Sequence, residues 1–343
     1  MNRSSPALKD VAAAAGVSLA TASVVINNKV GSKIRVGKET RERIWAAARS
    51  IGYVGNPAAR SLAGGRNDII AIFSYEPIFP MGEDGFYHSL LLGIEQEAEA
   101  QGLDLLFVTY RGEKQADHQR RVHRLRFADG AILLGLERNE QEIAQLVQSG
   151  YKIVVIGKRV FSDVDVSCVS PDYSDATRKI VNRALKLGHR RFCYIQWEGD
   201  RVPSLEREIG FRNAVGSTSE ASHTSITTPE DVIDGDQIIK LVQGGISCFV
   251  VERFRSAELV LEHLLRAGYR VPDDVSLCVL GGPGRHRTKH VDWTTIEVPG
   301  VQLGREATSM LVSLLEMPDH EPSRRSLSCT VYDGATLAPL NAK

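Results

Sequence analysis

The chain is short of the features that mark secreted, membrane or metal-dependent proteins. Its five cysteines (Cys168, Cys193, Cys248, Cys278 and Cys329, in 343 residues) are far apart and form no CxxC pair. Such spacing offers no metal framework. Four of the five lie inside apolar runs, so buried free thiols of a reducing compartment are expected. No apolar run approaches the ~20 residues that a membrane helix needs. The amino-terminal stretch MNRSSPALKDVAAAAGVS has an alanine run but no strongly apolar core, so a cleaved signal peptide is not expected and a cytoplasmic location without membrane contact is. Catalytic motifs are missing as well. No serine sits in a nucleophile elbow, and there is no Rossmann fingerprint. The loop GGPGRHRTKH (281–290) has glycines and basic residues but no Walker pattern, and its His286 and His290 have no carboxylate neighbour. No enzyme activity, metal or cofactor is expected.

Net charge is absent only in the sum. The whole chain balances 42 basic against 42 acidic residues. Residues 1–66 carry 11 Lys and Arg against Asp10, Glu39 and Glu42, a net of +8, which leaves the remainder at −8. A small basic module on an acidic body is the electrostatic outline of a polyanion-binding head on a globular domain. With 43% hydrophobic and 24% charged residues, the chain is long enough for two or three cores.

The head reads as three short helices. Leu8–Ala15 is the first, and Gly16 supplies a turn residue free to take positive φ. Ser18 is placed to cap the second helix, about Leu19–Asn27. In it Ala22, Val25 and Ile26 recur at the spacing of a buried stripe, leaving Leu19, Ala20, Thr21, Ser23, Val24 and Asn27 away from the core. The third helix, about Lys38–Ile51, sets Ile44, Ala47, Ala48 and Ile51 on one face. A short helix joined by a tight glycine turn to its predecessor is the helix-turn-helix arrangement, whose second helix enters the DNA major groove. Thr21, Ser23 and Asn27 are able to donate to phosphates. An ordinary three-helix core competes with that reading. The following NPAARSLAGGR (56–66) has the Pro-start, Gly-end form of a helix too short to stand alone in water.

In "LKDVAAAAGVSLATASVVINN … RVGKETRERIWAAARSIGYVGNPAARSLAGG" the chain resembles the LacI/GalR family of transcriptional regulators, and the resemblance runs over nearly its whole length. It implies that the short helix is a hinge folding on operator DNA, with Leu62 wedged into the minor groove. It also implies DNA contacts at Leu8, Ser18, Leu19, Ala20, Thr21, Ser23, Val24, Asn27, Tyr53, Asn56, Ala59 and Ala63. Family members often carry an arginine where Val24 stands. With Leu19, Ala20 and Val24 facing bases, half-sites that offer thymine methyls rather than a guanine are expected. Gly37 stands where a serine cap is usual, so the third helix is expected to start less firmly.

Beyond residue 66, apolar strand-like runs alternate with amphipathic helices in two series, implying parallel sheets covered on both faces. Strands are expected at 69–75, 103–110, 130–135, 152–158, 191–197, 247–252 and 276–281. Helices are expected at 90–101, 115–127, 141–150, 174–187, 206–215, 236–243 and 257–267. FYHSLLLGIEQEA (86–98), EREIGFRNA (206–214) and AGYRVPDDVSLCVLGG (267–282) resemble the effector domain of the same family, built like a periplasmic sugar-binding protein. From that resemblance the effector pocket takes Arg207, Asp175 facing the cleft, and Tyr75 stacking on a ring. Glu252, also expected to meet the effector, stands with Arg253 where Asn-Asp is usual, and Gly282-Pro283-Gly284 stands where Gly-Phe/Tyr-Asp is usual; the aspartate that often holds sugar hydroxyls is thus missing, which opens the pocket to a more anionic or modified ligand.

The expected architecture is therefore an all-α helix-turn-helix head (1–54), a hinge helix and linker (55–66), and a two-lobed α/β body of periplasmic-binding-protein type with parallel sheets (67–343). The N-lobe takes about 67–170 and 297–325, and the C-lobe about 171–296 and 326–343. The expected function is that of an allosteric transcriptional regulator, a repressor, forming a homodimer on pseudo-palindromic double-stranded operator DNA and answering to a sugar or sugar derivative. The alternative from a different class is a solute-binding protein without transcriptional role, which would not need the basic head.

Overall fold

The computed structural model describes residues 6–27, 34–54, 66–75, 86–108, 124–135, 139–159, 161, 163–198, 202–229, 232–281, 291–317 and 320–340. The hinge positions Asn56, Ala59, Leu62 and Ala63, most of the helix expected over 115–127, and the loop 282–290 lie outside the described residues.

The head consists of α1 (Leu8–Ala14), α2 (Leu19–Ile26) and α3 (Lys38–Ser50). Gly16 takes the left-handed backbone conformation (φ +64°), and the chain turns through 109° between α1 and α2. Val11, Ala15, Val25, Ile26, Ile44, Ala47 and Ala48 form its small core. Gly37 precedes α3 with no side-chain cap, as a residue lacking a hydroxyl must. In compensation, the Arg43 guanidinium donates from Nε to the Ala15 carbonyl (3.1 Å), pinning α3 onto the end of α1.

Among the described residues the body holds two six-stranded sheets. The first runs β2 (Asp104–Val108), β1 (Ile69–Ser74), β3 (Gly130–Leu134), β4 (Lys152–Ile156), β5 (Ser167–Asp172), β11 (Arg324–Ser328), every pairing parallel. The second runs β7 (Ser222–Thr228), β6 (Arg191–Trp197), β8 (Cys248–Val251), β9 (Ser276–Val279), β10 (Thr294–Glu297), β12 (Thr330–Tyr332). Here one edge departs from the expected parallel sheet, because β12 joins β10 antiparallel. Alternate residues of each strand feed different cores. Ile70 and Ile72 of β1 face one cluster, Ala71 and Phe73 another; Cys248 and Val250 of β8 separate likewise from Phe249 and Val251. That two-sided burial is why the strands read as unbroken apolar runs.

Among the described residues the helices of the body are α4 (Phe86–Ala100), α5 (Glu140–Gln148), α6 (Tyr173–Lys186), α7 (Val202–Val215), α8 (Gly235–Gln243), α9 (Phe254–Arg266) and α10 (Gly300–Glu316). The chain changes sheet between β5 and α6, between β10 and α10, and again between β11 and β12. In each lobe the helix delivered by the crossing packs through glycine against another long helix of its new sheet, α6 against α7 and α10 against α4. A Cβ at Gly210 of α7 would stand 2.2 Å from the Ser174 carbonyl oxygen of α6. A Cβ at Gly304 of α10 would stand 2.2 Å from the Leu90 carbonyl oxygen of α4, and one at Gly93 would stand 2.0 Å from the carbonyl oxygen of Val301. All five cysteines are free and buried; burial pushes the Cys193 thiol up to about 12 and Cys329 up to about 11. Among the described residues no single helix is long and apolar enough to cross a membrane.

Candidate functional site

Two regions carry exposed or cleft-facing chemistry. In the head, Ser18 caps α2 by accepting from the Thr21 amide (3.1 Å), and the two hydroxyls lie 2.8 Å apart. The first turn of α2 is thereby held rigid while its side chains point outward. Leu19 is 53% exposed, Ala20 is exposed, and Thr21, Ser23 and Asn27 are half-buried. Asn27 donates from Nδ2 to the Ser23 hydroxyl (3.0 Å), which orients its amide beside Ser23. Leu8 and Tyr53, half-buried, pack on the head core.

Val24 does not sit where the single-stripe reading put it. It is only 8% exposed, because α2 buries Ala22, Val24, Val25 and Ile26 together. That is more than half the helix circumference rather than one narrow face. The outward-facing apolar surface of the recognition helix therefore comes down to Leu19 and Ala20.

In the body, ligands of open parallel sheets sit at the carboxyl ends of the strands. The first sheet ends there in aromatic and small residues. Tyr75, just past β1, is buried and meets Phe73 edge to face (5.1 Å between centroids). The buried Arg159, beyond β4, folds back onto the Gly135 carbonyl. The second sheet ends in charge. Glu252, one residue past β8, is 3% exposed, and its carboxylate accepts three hydrogen bonds: from the Tyr194 hydroxyl (2.6 Å), the Trp197 amide (3.1 Å) and the Ser204 hydroxyl (2.8 Å). Glu252 was expected to meet the effector, and three of its acceptor positions face partners within its own lobe. It ties the first turn of α7 to the ends of β6 and β8. Burial and the neighbouring Glu252 charge both push the Tyr194 phenol up, keeping it protonated as a donor.

Three residues beyond Ser204, the Arg207 guanidinium lies over the Tyr173 ring (4.0 Å) and donates from Nε to the Leu280 carbonyl (3.1 Å). Burial raises the Tyr173 pKa while Arg207 opposes it. Arg253 lies over the Trp197 ring at 4.5 Å. Lys158, beyond β4, reaches across to Glu206 (2.9 Å), joining the end of the first sheet to α7 of the second. Asp175 is less available than expected of a cleft residue. It forms ion pairs with Lys179 (2.6 Å) and Arg178, which hold its carboxyl below the usual range. Tyr194, Ser204 and Lys158 were not singled out from sequence, and no local spacing would have found them, since their partners lie some 48 to 58 residues away or on the other sheet.

Residues 7–56 match the model described as bacterial regulatory proteins, lacI family. Residues 77–219 match the periplasmic binding proteins and sugar binding domain of LacI family, and residues 181–337 a periplasmic binding protein-like domain. The chain is 30% identical to the HTH-type transcriptional regulator CelR of Thermobifida fusca, covering 94% of this chain and 95% of that protein. It is 24% identical to the HTH-type transcriptional repressor PurR of Vibrio atlanticus, over 97% and 99% of the two. Among solved structures, the lac repressor dimer bound to operator and the anti-inducer ONPF superposes with a TM-score of 0.73 at 20% identity, covering 98% of this chain and all of that one. The CelR–cellobiose complex gives 0.66 at 24% identity, covering 96% and 99%.

Proposed function

The chain belongs to the lacI family of bacterial regulatory proteins, and from that premise we propose that it is a homodimeric, operator-binding repressor controlled by a small sugar-like ligand between its lobes. Residues 1–54 are the reading head, 55–66 the hinge and 67–343 the ligand-binding body, working in the cytoplasm and performing no catalytic step. The alternative of a solute-binding protein without transcriptional role leaves the regulatory-family match over residues 7–56 unexplained.

The observation that carries this reading is the capped first turn of α2, held at 109° to α1 with Leu19 and Ala20 outward. A helix presented in this way fits the major groove. Two heads on a dimer would read half-sites ~34 Å apart. Apolar Leu19 and Ala20 suit thymine methyls, while Thr21, Ser23 and Asn27 supply phosphate donors. The hinge position Leu62 takes the central minor-groove wedge, and Asn56, Ala59, Ala63, Tyr53 and Leu8 flank these contacts. In the body a ligand touching Arg207, with Tyr75 as the opposing wall and Asp175 at the rim, would favour one lobe arrangement over another. Such couplings are typically ~1–3 kcal/mol.

Selection of bound sequences from a random duplex pool by the full-length chain tests the reading. A two-fold-symmetric site with thymine-rich positions opposite Leu19 and Ala20 is the expected product. A pool that shows no enrichment after repeated rounds would remove the DNA-reading role.

A further inference from the structure

Where the chain enters the body, two successive backbone amides converge on one carboxylate. Asp129, the residue before β3, accepts the Asn67 amide at both of its oxygens (2.8 and 3.1 Å) and the Asp68 amide at Oδ2 (2.8 Å). The Asn67 side chain donates from Nδ2 to the Phe127 carbonyl (3.1 Å) on the same approach to β3. Backbone bonds complete the clasp on both sides of β1. The Asp104 amide donates to the Asp68 carbonyl and the Asp129 amide to the Ile69 carbonyl, each at 2.8 Å. Since β1 lies between β2 and β3, its first residues are held against both neighbours.

Asp68 is the one non-glycine among the described residues whose backbone is left-handed (φ +57°). That conformation is uncommon for a residue with a side chain and persists where the surroundings impose it. Here the carboxylate imposes it, by drawing in the amides before and at the turn. Bonds to a charged acceptor are stronger than those to a neutral one, so Asp129 fixes the turn more firmly than an amide side chain would. The clasp is also remote from the cleft. Gly130–Leu134 of β3 span about 17 Å, with Asp129 at their amino end and ligands of such sheets at the carboxyl end.

We propose that Asp129 is a positioning residue for operator binding. By clasping Asn67 and Asp68 it fixes the direction in which the hinge leaves the body, so that the two heads of a dimer meet their half-sites in register. This rests on the reading of 55–66 as a hinge and deepens it. A loss of the clasp then costs site-specific binding, which needs both heads placed, and spares the sequence-independent attraction of a basic head to phosphates.

The test uses the full-length chain with its selected duplex and with a duplex of random sequence, both read by fluorescence anisotropy. Asp129→Asn keeps the shape of the side chain and turns one acceptor into a donor that faces the amides. It is expected to bind the selected duplex at least about tenfold more weakly and the random duplex as the parent does. Asn67→Ala, which keeps both backbone amides, is expected to show a smaller loss in the same direction. Ser167→Ala removes the acceptor of the Ser323 amide (3.0 Å) at the start of β5, two strands from β3 in the same sheet. It is expected to leave both affinities at parent values. Unchanged affinity of Asp129→Asn for the selected duplex, an equal loss on the random duplex, or the same loss in Ser167→Ala would each overturn the proposal. Should Asp129→Asn not fold, a loss confined to the selected duplex in Asn67→Ala supports the clasp and an unchanged affinity overturns it. A chain that selects no duplex at all would remove the regulatory reading as well, which sets that failure apart from the others.

Discussion

The two halves of the body share a plan and differ at the end where ligands sit. Each orders its strands the same way, β2-β1-β3-β4-β5-β11 against β7-β6-β8-β9-β10-β12. Each also receives a crossing helix that packs through glycine against another long helix of its sheet. At the carboxyl ends the likeness stops. The first half closes with Phe73 and Tyr75 in edge contact and a buried Arg159 turned back on its own lobe. The second places a buried carboxylate with three donors beneath two ring-stacked arginines. The common plan thus gives both lobes one scaffold, and they differ in the charged network at the strand ends, which only the second builds around a buried carboxylate.

The largest effect should come from attacking what the halves share. In an open helix, Gly→Ala gains up to ~1 kcal/mol. At Gly210 and Gly304 the sign should reverse, because the added carbon meets a backbone carbonyl at 2.2 Å in both places. Gly210→Ala and Gly304→Ala are each expected to lose about 1–3 kcal/mol, read by denaturant unfolding. Stabilisation by either change would break the equivalence. Attacking what separates the halves should cost slightly less. Tyr194→Phe removes the 2.6 Å donor from a buried carboxylate, with an expected loss of ~1–3 kcal/mol and a weakened ligand response. A variant unchanged in both would show that the Glu252 network does not support Arg207.

The smallest effect is set by pH. His189 is buried between the Ser247 hydroxyl (3.0 Å) and the Ala338 carbonyl (2.9 Å) in the second half, and burial holds its pKa below 6.5. The folded state therefore prefers the neutral ring. Its contribution is complete above about pH 6.5 and shrinks as pH falls below that value, by up to ~1.4 kcal/mol per unit until the folded pKa is reached. Stability of His189→Gln is expected to vary less with pH across that window; identical pH profiles for variant and parent would contradict the assignment.

What was legible in the sequence follows from how local its cause is. IIAIFS and CFVV are buried on both faces, so a continuous apolar run announced them as strands. SHTSITT did not read as a strand, because β7 is an edge whose residues are mostly exposed and polar; its pairing with β6 alone makes it a strand. The head's turn was legible through Gly16 and Ser18, whose conformation and cap are set within three residues. Val24 was misread because periodicity assumes one buried face, and α2 buries more than one. Glu252 was legible as a strand-end residue, but its partners inside the lobe were not. Its three donors come from β6 and α7, 48 to 58 residues away, and no spacing rule reports such contacts.

The central claim is that a ligand at the charged end of the second lobe changes how the head holds DNA. Its most direct test is the affinity of the full-length chain for its selected duplex, measured by fluorescence anisotropy with and without the sugar or sugar derivative that most raises the chain's melting temperature. The account predicts a shift of roughly 5- to 150-fold, the range of a 1–3 kcal/mol coupling, that disappears in Arg207→Ala. An affinity that stays the same when the cleft is saturated would contradict it.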